Sequence, residues 1–398
     1  MTEIDRPAKS LRRVAITGLG VVSPVGIGRE AFWQGLLSPQ PEGERRVHDF
    51  DPTRCYDDPK AIRRADRFEQ MAVCAAAEAL AQAGPLDADP DRIGVLVGTG
   101  VGGAQSHEDQ TIVNEQKGPR RVSPFVVPMM MSNAAAAAIS IGHGLQGPCE
   151  SLATACATGT HAIGQAARWI QWGICDAAVA GGAEAAMTPV ALAGFANMRA
   201  LSPSGRSRPF DADRDGFVIS EGAAVVVLEE LERARARGAS ILAEVLGSAS
   251  LADAHHITAP APGGAGALRC MRRALEDAGL EPGQIVHVNA HGTSTELNDL
   301  AEAQGISQLF GSPGPIVTSI KGVTGHSLGA AGAIEAVALV LSLQHGLIPP
   351  TDGLEQFDPA LPPIDVVQKE ARRFTPGPSL SNSFGFGGHN GTLVLGPV

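Results

Sequence analysis

Short apolar runs closed by glycine recur along the whole chain, and they constrain the fold more than any other feature of the sequence. They read RVAITGLGVVSPVG, RIGVLVGTGVGG, DAAVAGGAEAA, GAAVVVLEELERARARG, ILAEVLGSAS, IVHVNAHGTST, PIVTSIKG and GTLVLGPV. Continuous apolar runs of about four to eight residues read as strands buried on both faces, since a strand with one solvated face would alternate. Between them lie helix-like segments at 66–83, 159–172, 266–279 and 329–345. Strands alternating with helices predict an α/β architecture.

The passage from LEELERARARGAS to ILAEVLGSAS reads as the end of one half and the start of another, which places a boundary near residue 242 and divides the chain into 11–242 and 243–398. No linker rich in proline, serine or charge separates the halves, so they are expected to share one interface. Two α/β halves of unequal length are compatible with divergent copies of one unit. Residues 42–68, rich in charge and proline, read as a surface excursion. Residues 104–124, polar and ending in KGPRRVSP, read as a long functional loop.

A chain of 398 residues with 44% hydrophobic content can fill a substantial core. Its net charge of −11, with no compensating basic block, argues against a nucleic-acid or anionic-membrane surface. MTEIDRPAKSLRR lacks an apolar core, and FVVPMMMSNAAAAAISIG is broken by Pro128, Ser132 and Asn133. Neither a secretion signal nor a membrane span is therefore predicted, and a cytoplasmic location is expected. Cys55, Cys74, Cys149, Cys156, Cys175 and Cys270 show no paired zinc-site spacing, and reduced thiols are expected. Cys74, within MAVCAAAEAL, reads as a small core residue.

VLVGTGVGGA holds a literal G-x-G-x-x-G at Gly98, Gly100 and Gly103 after a strand-like run. A dinucleotide-binding turn would open an apolar helix at once, and the polar AQSHEDQTIVNEQKG that follows does not fit one. These glycines read instead as packing and tight-turn positions.

Cys156 differs from the other cysteines because ESLATACATGTHAIGQ sets it just before a helix-like run. A thiol at the first turn of a helix feels the positive end of the dipole, which favours the thiolate. The second half offers partners: His291 in VNAHGTSTELND, and His326 in TSIKGVTGHSLGAAGAIEA, with Lys321 five residues before it and Glu335 nine after. Lysine is scarce, at positions 9, 60, 117, 321 and 369 only, which gives Lys321 added weight. LSNSFGFGGHNGTLVLG is a glycine-aromatic loop before a terminal strand: either a bulge or hairpin, or a place where backbone N–H groups approach a ligand as an oxyanion hole requires.

In this order, TACATGTHAIG, VNAHGTST, SIKGVTGHSLGAAGAIEA and NSFGFGGHN resemble the β-ketoacyl-[acyl-carrier-protein] synthases of the type II group, from about residue 11 to 398. The resemblance implies the thiolase fold, two duplicated α/β halves forming a five-layered α-β-α-β-α sandwich, and a homodimer. It makes Cys156 the acyl-accepting nucleophile with His291 and His326 as the other members of a triad. Lys321 then matches the active-site lysine, Glu335 its ion-pairing partner, and Asp299 a supporting acid. Phe386 matches the gatekeeper whose N–H, with that of Cys156, forms the oxyanion hole. Thr293, Thr295, His256, Thr258 and Phe384 would line the path of the pantetheine arm. Arg120 and Arg121 would present a basic patch to an acidic acyl-carrier protein, the alternative being an ordinary solvated loop. No metal and no free cofactor is implied, because the substrates ride on the carrier's phosphopantetheine.

The implied reaction is a decarboxylative Claisen condensation of a Cys156-bound acyl group with malonyl-carrier protein, in fatty-acid or polyketide elongation. Alternatives are a polyketide ketosynthase paired with a chain-length factor, or a non-catalytic factor, which would lack the cysteine; a papain-like hydrolase lacks its Cys-His-Asn context here. Four stretches depart from the family pattern. Glu296, Leu297 and Asn298 stand where a proline-and-glycine turn is usual, and Cys149 and Glu150 stand near the strand expected to form the dimer. Met129, Met130 and Met131 fall where the acyl pocket or the dimer axis is expected, and LSPSGRSRPFD is short for its loop.

Overall fold

The computed structural model describes residues 11–41, 45–312 and 314–398. The apolar runs become its strands. In the first half these are β1 (Val14–Ser23), β2 (Ile93–Gly98), β3 (Cys149–Glu150), β4 (Ala177–Glu184) and β5 (Gly222–Glu230). In the second they are β6 (Ala243–Ala252), β7 (His287–Asn289), β8 (Ile316–Thr318), β9 (Asp365–Val366), β10 (Ser379–Gly385) and β11 (His389–Gly396). Every residue of β1, β2 and β4 is buried, which is why their sequences run apolar without alternation.

The two halves repeat one strand order. In the first, β3, β2 and β4 are parallel neighbours, followed by antiparallel β5 and then β1. In the second, β8, β7 and β10 are parallel, followed by antiparallel β11 and then β6. Counted along the chain, both orders are third, second, fourth, fifth, first; β9 only extends the second sheet beside β8. The first strands meet, Val14 to Ile16 pairing antiparallel with Ala243 to Val245.

The helices supply the other layers: α1 (Arg67–Ala83), α2 (Ala104–Lys117), α3 (Val126–Met130), α4 (Ala134–His143), α5 (Thr158–Gln171), α6 (Ala265–Ala278), α7 (Glu296–Phe310) and α8 (Ala331–His345). Phe68 and Met71 of α1 and Ile139 of α4 pack on Val95, Val179 and Val225, covering the outer face of the first sheet. Ile163 of α5 and Val337 of α8 share a core with Ile16 and Val226 on one side and Leu393 and Leu395 on the other. Met271 of α6 and Ile306 of α7 cover Val288, Val317 and Leu380 on the far face. The result is the five-layered α-β-α-β-α sandwich. Among the described residues one stretch, Leu328–His345, is long and apolar enough to cross a membrane, and it is mostly buried as part of the central layer.

Three expectations need correction. Residues 104–124 are not a continuous loop: Ala104–Lys117 form α2, whose Ala, Gln, Glu and Lys favour a helix without an apolar stripe, and only Ser106 is buried. Gly118, at φ 84°, ends it. Reduced thiols are not found throughout, since Cys55 and Cys74 form a disulfide with Cα atoms 5.2 Å apart. Chain folding brings the excursion back over α1, which spacing along the sequence could not reveal. The excursion is also more than surface: Arg45 is 2% exposed, and Val47 donates its N–H to Glu221 Oε1 at 2.9 Å.

Candidate active site

Cys156 lies in a 3-10 turn, Ala155–Ala157, that runs straight into α5. The preceding Ala155 holds φ at +50°, an unfavourable conformation for a residue with a Cβ, of the kind that clusters at functional sites. The sulfur lies 3.1 Å from His326 Nε2, and the donor atoms of Cys156, His291 and His326 all fall within 4.8 Å of one another. The first half thus contributes the thiol and the second both imidazoles.

The hairpin turn between β10 and β11 closes over the thiol. A Cβ on Gly385 would sit 3.0 Å from Cys156 N and 3.1 Å from Thr154 O, so only glycine lets the two backbones approach this closely. The backbone amides of Phe386 and of Cys156 itself favour the charged form of the sulfur. NSFGFGGHN thus forms a hairpin whose turn sets Gly385 against the Cys156 backbone. His161 braces the arrangement, its Nδ1 2.9 Å from Thr154 Oγ1 and its Nε2 3.0 Å from Asn390 O.

Burial reverses the expected acidity of Cys156. It pushes the thiol up to about 11, while the Lys321 cation and the Phe386 amide pull it down by less. The resting group is a thiol beside a base, not a standing thiolate. Burial, reinforced by Lys321, likewise holds His291 and His326 well below the ordinary imidazole value, so both rings are neutral at neutral pH.

Lys321 sits behind His291. Its Nζ donates to His291 O at 2.7 Å, lies 3.2 Å from His291 Nδ1, and pairs with Glu335. An ammonium has only protons to offer, so His291 must accept at Nδ1 and carry its own proton on Nε2, toward the cavity. His326 Nδ1 meets no partner among the described residues, which leaves its tautomer unpinned. The loop carrying His291 is held from α7: Asp299 Oδ1 accepts Thr293 N–H at 2.9 Å, and Glu302 accepts the N–H groups of His291 and Gly292 at 2.9 and 2.8 Å. Glu302 escaped the sequence reading, although Asp299 and Glu302 are three residues apart and so share a helix face. Burial raises both acids, Glu302 to about 7.

A cavity of about 680 Å³ opens onto Cys156, His291 and His326, and Thr293, Thr295, Thr258, Phe384 and Phe386 line it. His256 does not line it. The ring is exposed, and its Nδ1 accepts the N–H groups of Thr258 and Ala259, both at 3.1 Å, so it shapes the loop that presents Thr258. Glu296, Leu297 and Asn298 do reach the cavity; Met129, Met130 and Met131 do not, and Met130 and Met131 are exposed. Arg120 and Arg121 are exposed in a turn, Pro119–Arg121, outside the cavity. Arg64 lies nearby, its guanidinium 4.4 Å from the Phe125 ring.

Comparison with known proteins agrees with this geometry. Residues 42–234 match the beta-ketoacyl synthase N-terminal domain and residues 242–355 the C-terminal domain. A 3-oxoacyl-[acyl-carrier-protein] synthase 2 of Synechocystis sp. is 45% identical over 96% of this chain and 98% of its own, and that of Vibrio cholerae is 44% identical over 97% and 99%. Among solved structures, the ishigamide ketosynthase/chain length factor superposes with a TM-score of 0.90 at 36% identity, covering 98% of this chain and all of that one. A type II polyketide acyl-carrier protein in complex with its ketosynthase bound to the hexaketide gives 0.88 at 31% identity, with the same coverage.

Proposed function

The chain belongs to the β-ketoacyl synthase family, and from that premise we propose that it condenses an acyl group held on Cys156 with malonyl-acyl-carrier protein, giving a 3-oxoacyl-acyl-carrier protein. The observation that carries this reading is the convergence of the Cys156 sulfur, two backbone N–H groups and two neutral imidazoles on one cavity.

In the first half-reaction His326 Nε2 takes the Cys156 proton as sulfur attacks the acyl thioester. The N–H groups of Cys156 and Phe386 bind the oxyanion, and the departing pantetheine thiolate takes the proton back. Loss of one such donor costs about 3–4 kcal/mol of transition-state stabilisation. In the second, malonyl-carrier protein loses carbon dioxide, and the enolate oxygen accepts from His291 Nε2–H. An unpinned His326 can supply a second Nε2–H. The enolate carbon attacks the acyl carbonyl, and the Cys156 sulfur leaves as a thiolate that takes a proton from solvent to restore the resting thiol. Lys321, Glu335, Asp299 and Glu302 hold His291 in place, and Thr293, Thr295 and Thr258 offer hydroxyls to the pantetheine amides.

Arg120 and Arg121 are read as the docking point of an acidic carrier, in a cytoplasmic homodimer whose chains divide at residue 242; the repeated strand order supports that division. A second reading keeps the chemistry and changes the pathway. The likeness to a ketosynthase/chain length factor and to a carrier-bound polyketide ketosynthase favours a heterodimeric polyketide enzyme as the alternative. The decisive experiment offers the purified protein carrier proteins loaded with acyl groups of two to sixteen carbons, together with malonyl-carrier protein, and reads products by mass. Cys156→Ala is expected to abolish loading and condensation. His291→Ala is expected to lower malonyl decarboxylation far more than acyl transfer; equal loss of both would remove it from the role given.

A further inference from the structure

The glycine motif at Gly98, Gly100 and Gly103 wraps a carboxyl group of the chain itself. Glu184, the last residue of β4, is fully buried and faces the cavity beside Cys156. Its Oε2 accepts Gly100 N–H at 2.8 Å and Gly329 N–H at 3.1 Å, and its Oε1 accepts the Thr99 hydroxyl at 3.0 Å. Thr99 Oγ1 in turn accepts Gly102 N–H at 3.1 Å. The amides that would cradle a phosphate in a nucleotide-binding turn instead wrap an internal carboxylate.

We propose that Glu184 is a positioning residue whose carboxylate locks the turn at Thr99–Val101 against Leu328–Gly329, and so sets which acyl chains the cavity beside Cys156 accepts. Val101 and Leu328 both line that cavity, and Leu328, at φ +46°, packs with Cys156 and Phe217. Leu328 also follows His326 by two residues, so one carboxylate fixes a wall of the pocket and the turn that carries a catalytic imidazole. The partners suit the anion. Two are N–H donors to one oxygen, and the amides of Gly100 and Gly329 work against the burial that raises Glu184 to about 7. Space is equally tight: a Cβ on Gly100 would lie 2.6 Å from Glu184 Oε2, and one on Gly329 would lie 2.3 Å from Gly100 N.

This inference rests on the condensing reading, and two variants test it separately. Glu184→Gln keeps the shape and removes the charge, leaving one oxygen to accept the Gly100 and Gly329 amides. Gly100→Ala leaves Glu184 in place and pushes its carboxylate aside, so it carries the test should Glu184→Gln fail to fold. Each is titrated with iodoacetamide, the label being located at Cys156 by peptide mass because exposed Cys149 also reacts, then mixed with acyl-carrier proteins of two to sixteen carbons for single-turnover loading. The expected result is a full count of Cys156 with altered selectivity: the ratio of loading rates between the preferred chain and one two carbons longer falls roughly tenfold. A mere loss of stability would lower the count or slow all chains alike. An unchanged ratio in either folded variant overturns the proposal. Wild-type protein that loads no acyl chain would instead sink the condensing reading.

Discussion

Lys321 shows how one buried side chain can set the chemistry of two others. Its cation is the largest influence drawing the Cys156 thiol down against burial, and its Nζ pins the tautomer of His291. Lys321→Met keeps the length and removes the charge. The Cys156 pKa is therefore expected to rise further, moving the pH profile of iodoacetamide alkylation to higher pH; a profile unmoved or moved downward would refute the assignment. His287 is the opposite case, a buried ring that serves no site. It lies on β7 with neither ring nitrogen hydrogen-bonded among the described residues, and burial lowers it from 6.5 to about 3. The fold keeps it neutral, while the unfolded chain takes up a proton below 6.5, so stability falls as pH drops from 6.5 toward 3. The slope approaches about 1.4 kcal/mol per pH unit. His287→Leu should flatten unfolding free energy against pH by one proton in that window, as measured by urea titration, and an equal slope in variant and wild type would contradict it.

The central helices α5 and α8 place the thiol of one half against the imidazoles of the other. Gly159, on the first turn of α5, faces Ala333 on the first turn of α8, where an added Cβ would lie 2.5 Å from Ala333 N. Backbone cannot step aside as a side-chain tip can. Gly159→Ala should cost about 1–3 kcal/mol by overpacking, lowering the urea midpoint. It should also slow acyl loading, because Gly159 follows Cys156 by three residues; an unchanged midpoint would show the helices free to part. These elements were legible in the sequence because burial imposes periodicity: the segments at 66–83 and 266–279 become helices 67–83 and 265–278. Cys156, His291 and His326 could be singled out because each sits in a motif that resembles the family's and lies near glycine. What stayed hidden depends on the assembled interior. Glu184 bonds to the distant backbone of Gly100 and Gly329, and His161 reaches Asn390 O, so their neighbours in sequence give no hint of their work. The Cys156 thiol could be placed at a helix start, but the desolvation that outweighs the dipole belongs to the closed cavity. The Cys55–Cys74 disulfide joins an irregular excursion to a regular helix, and α2 carries no apolar stripe to announce it.

At the scale of the whole molecule, the outer surface of the first half is unlike an ordinary solvated face. Helices α2, α3 and α4 pack side by side with the edge strand β3. Along them Ile112, Val127, Met131 and Ile141 are 49%, 54%, 45% and 83% exposed. Among the described residues strand β3 pairs only with β2 and leaves its other edge open. Apolar side chains beside an unpaired strand edge suit a second copy that covers both, since an open edge left to solvent invites uncontrolled pairing. The same surface reaches the cavity, for Met130 O in α3 accepts the N–H of Gly103, at the end of the turn that carries Val101. A partner seated on α3 therefore bears on the acyl pocket through one hydrogen bond and a short turn. Light scattering of the wild-type protein is expected to give twice the mass of the chain. Ile141→Asp changes a position exposed in the single chain, so it should leave thermal unfolding of the dissociated protein intact while shifting the mass to that of one chain. If α3 transmits the contact, this monomer should keep iodoacetamide-reactive Cys156 and lose acyl-chain selectivity. A wild-type protein that is monomeric and fully active at micromolar concentration would discard the homodimer. One that is monomeric and inactive until a second, different subunit is added would favour the heterodimeric polyketide reading.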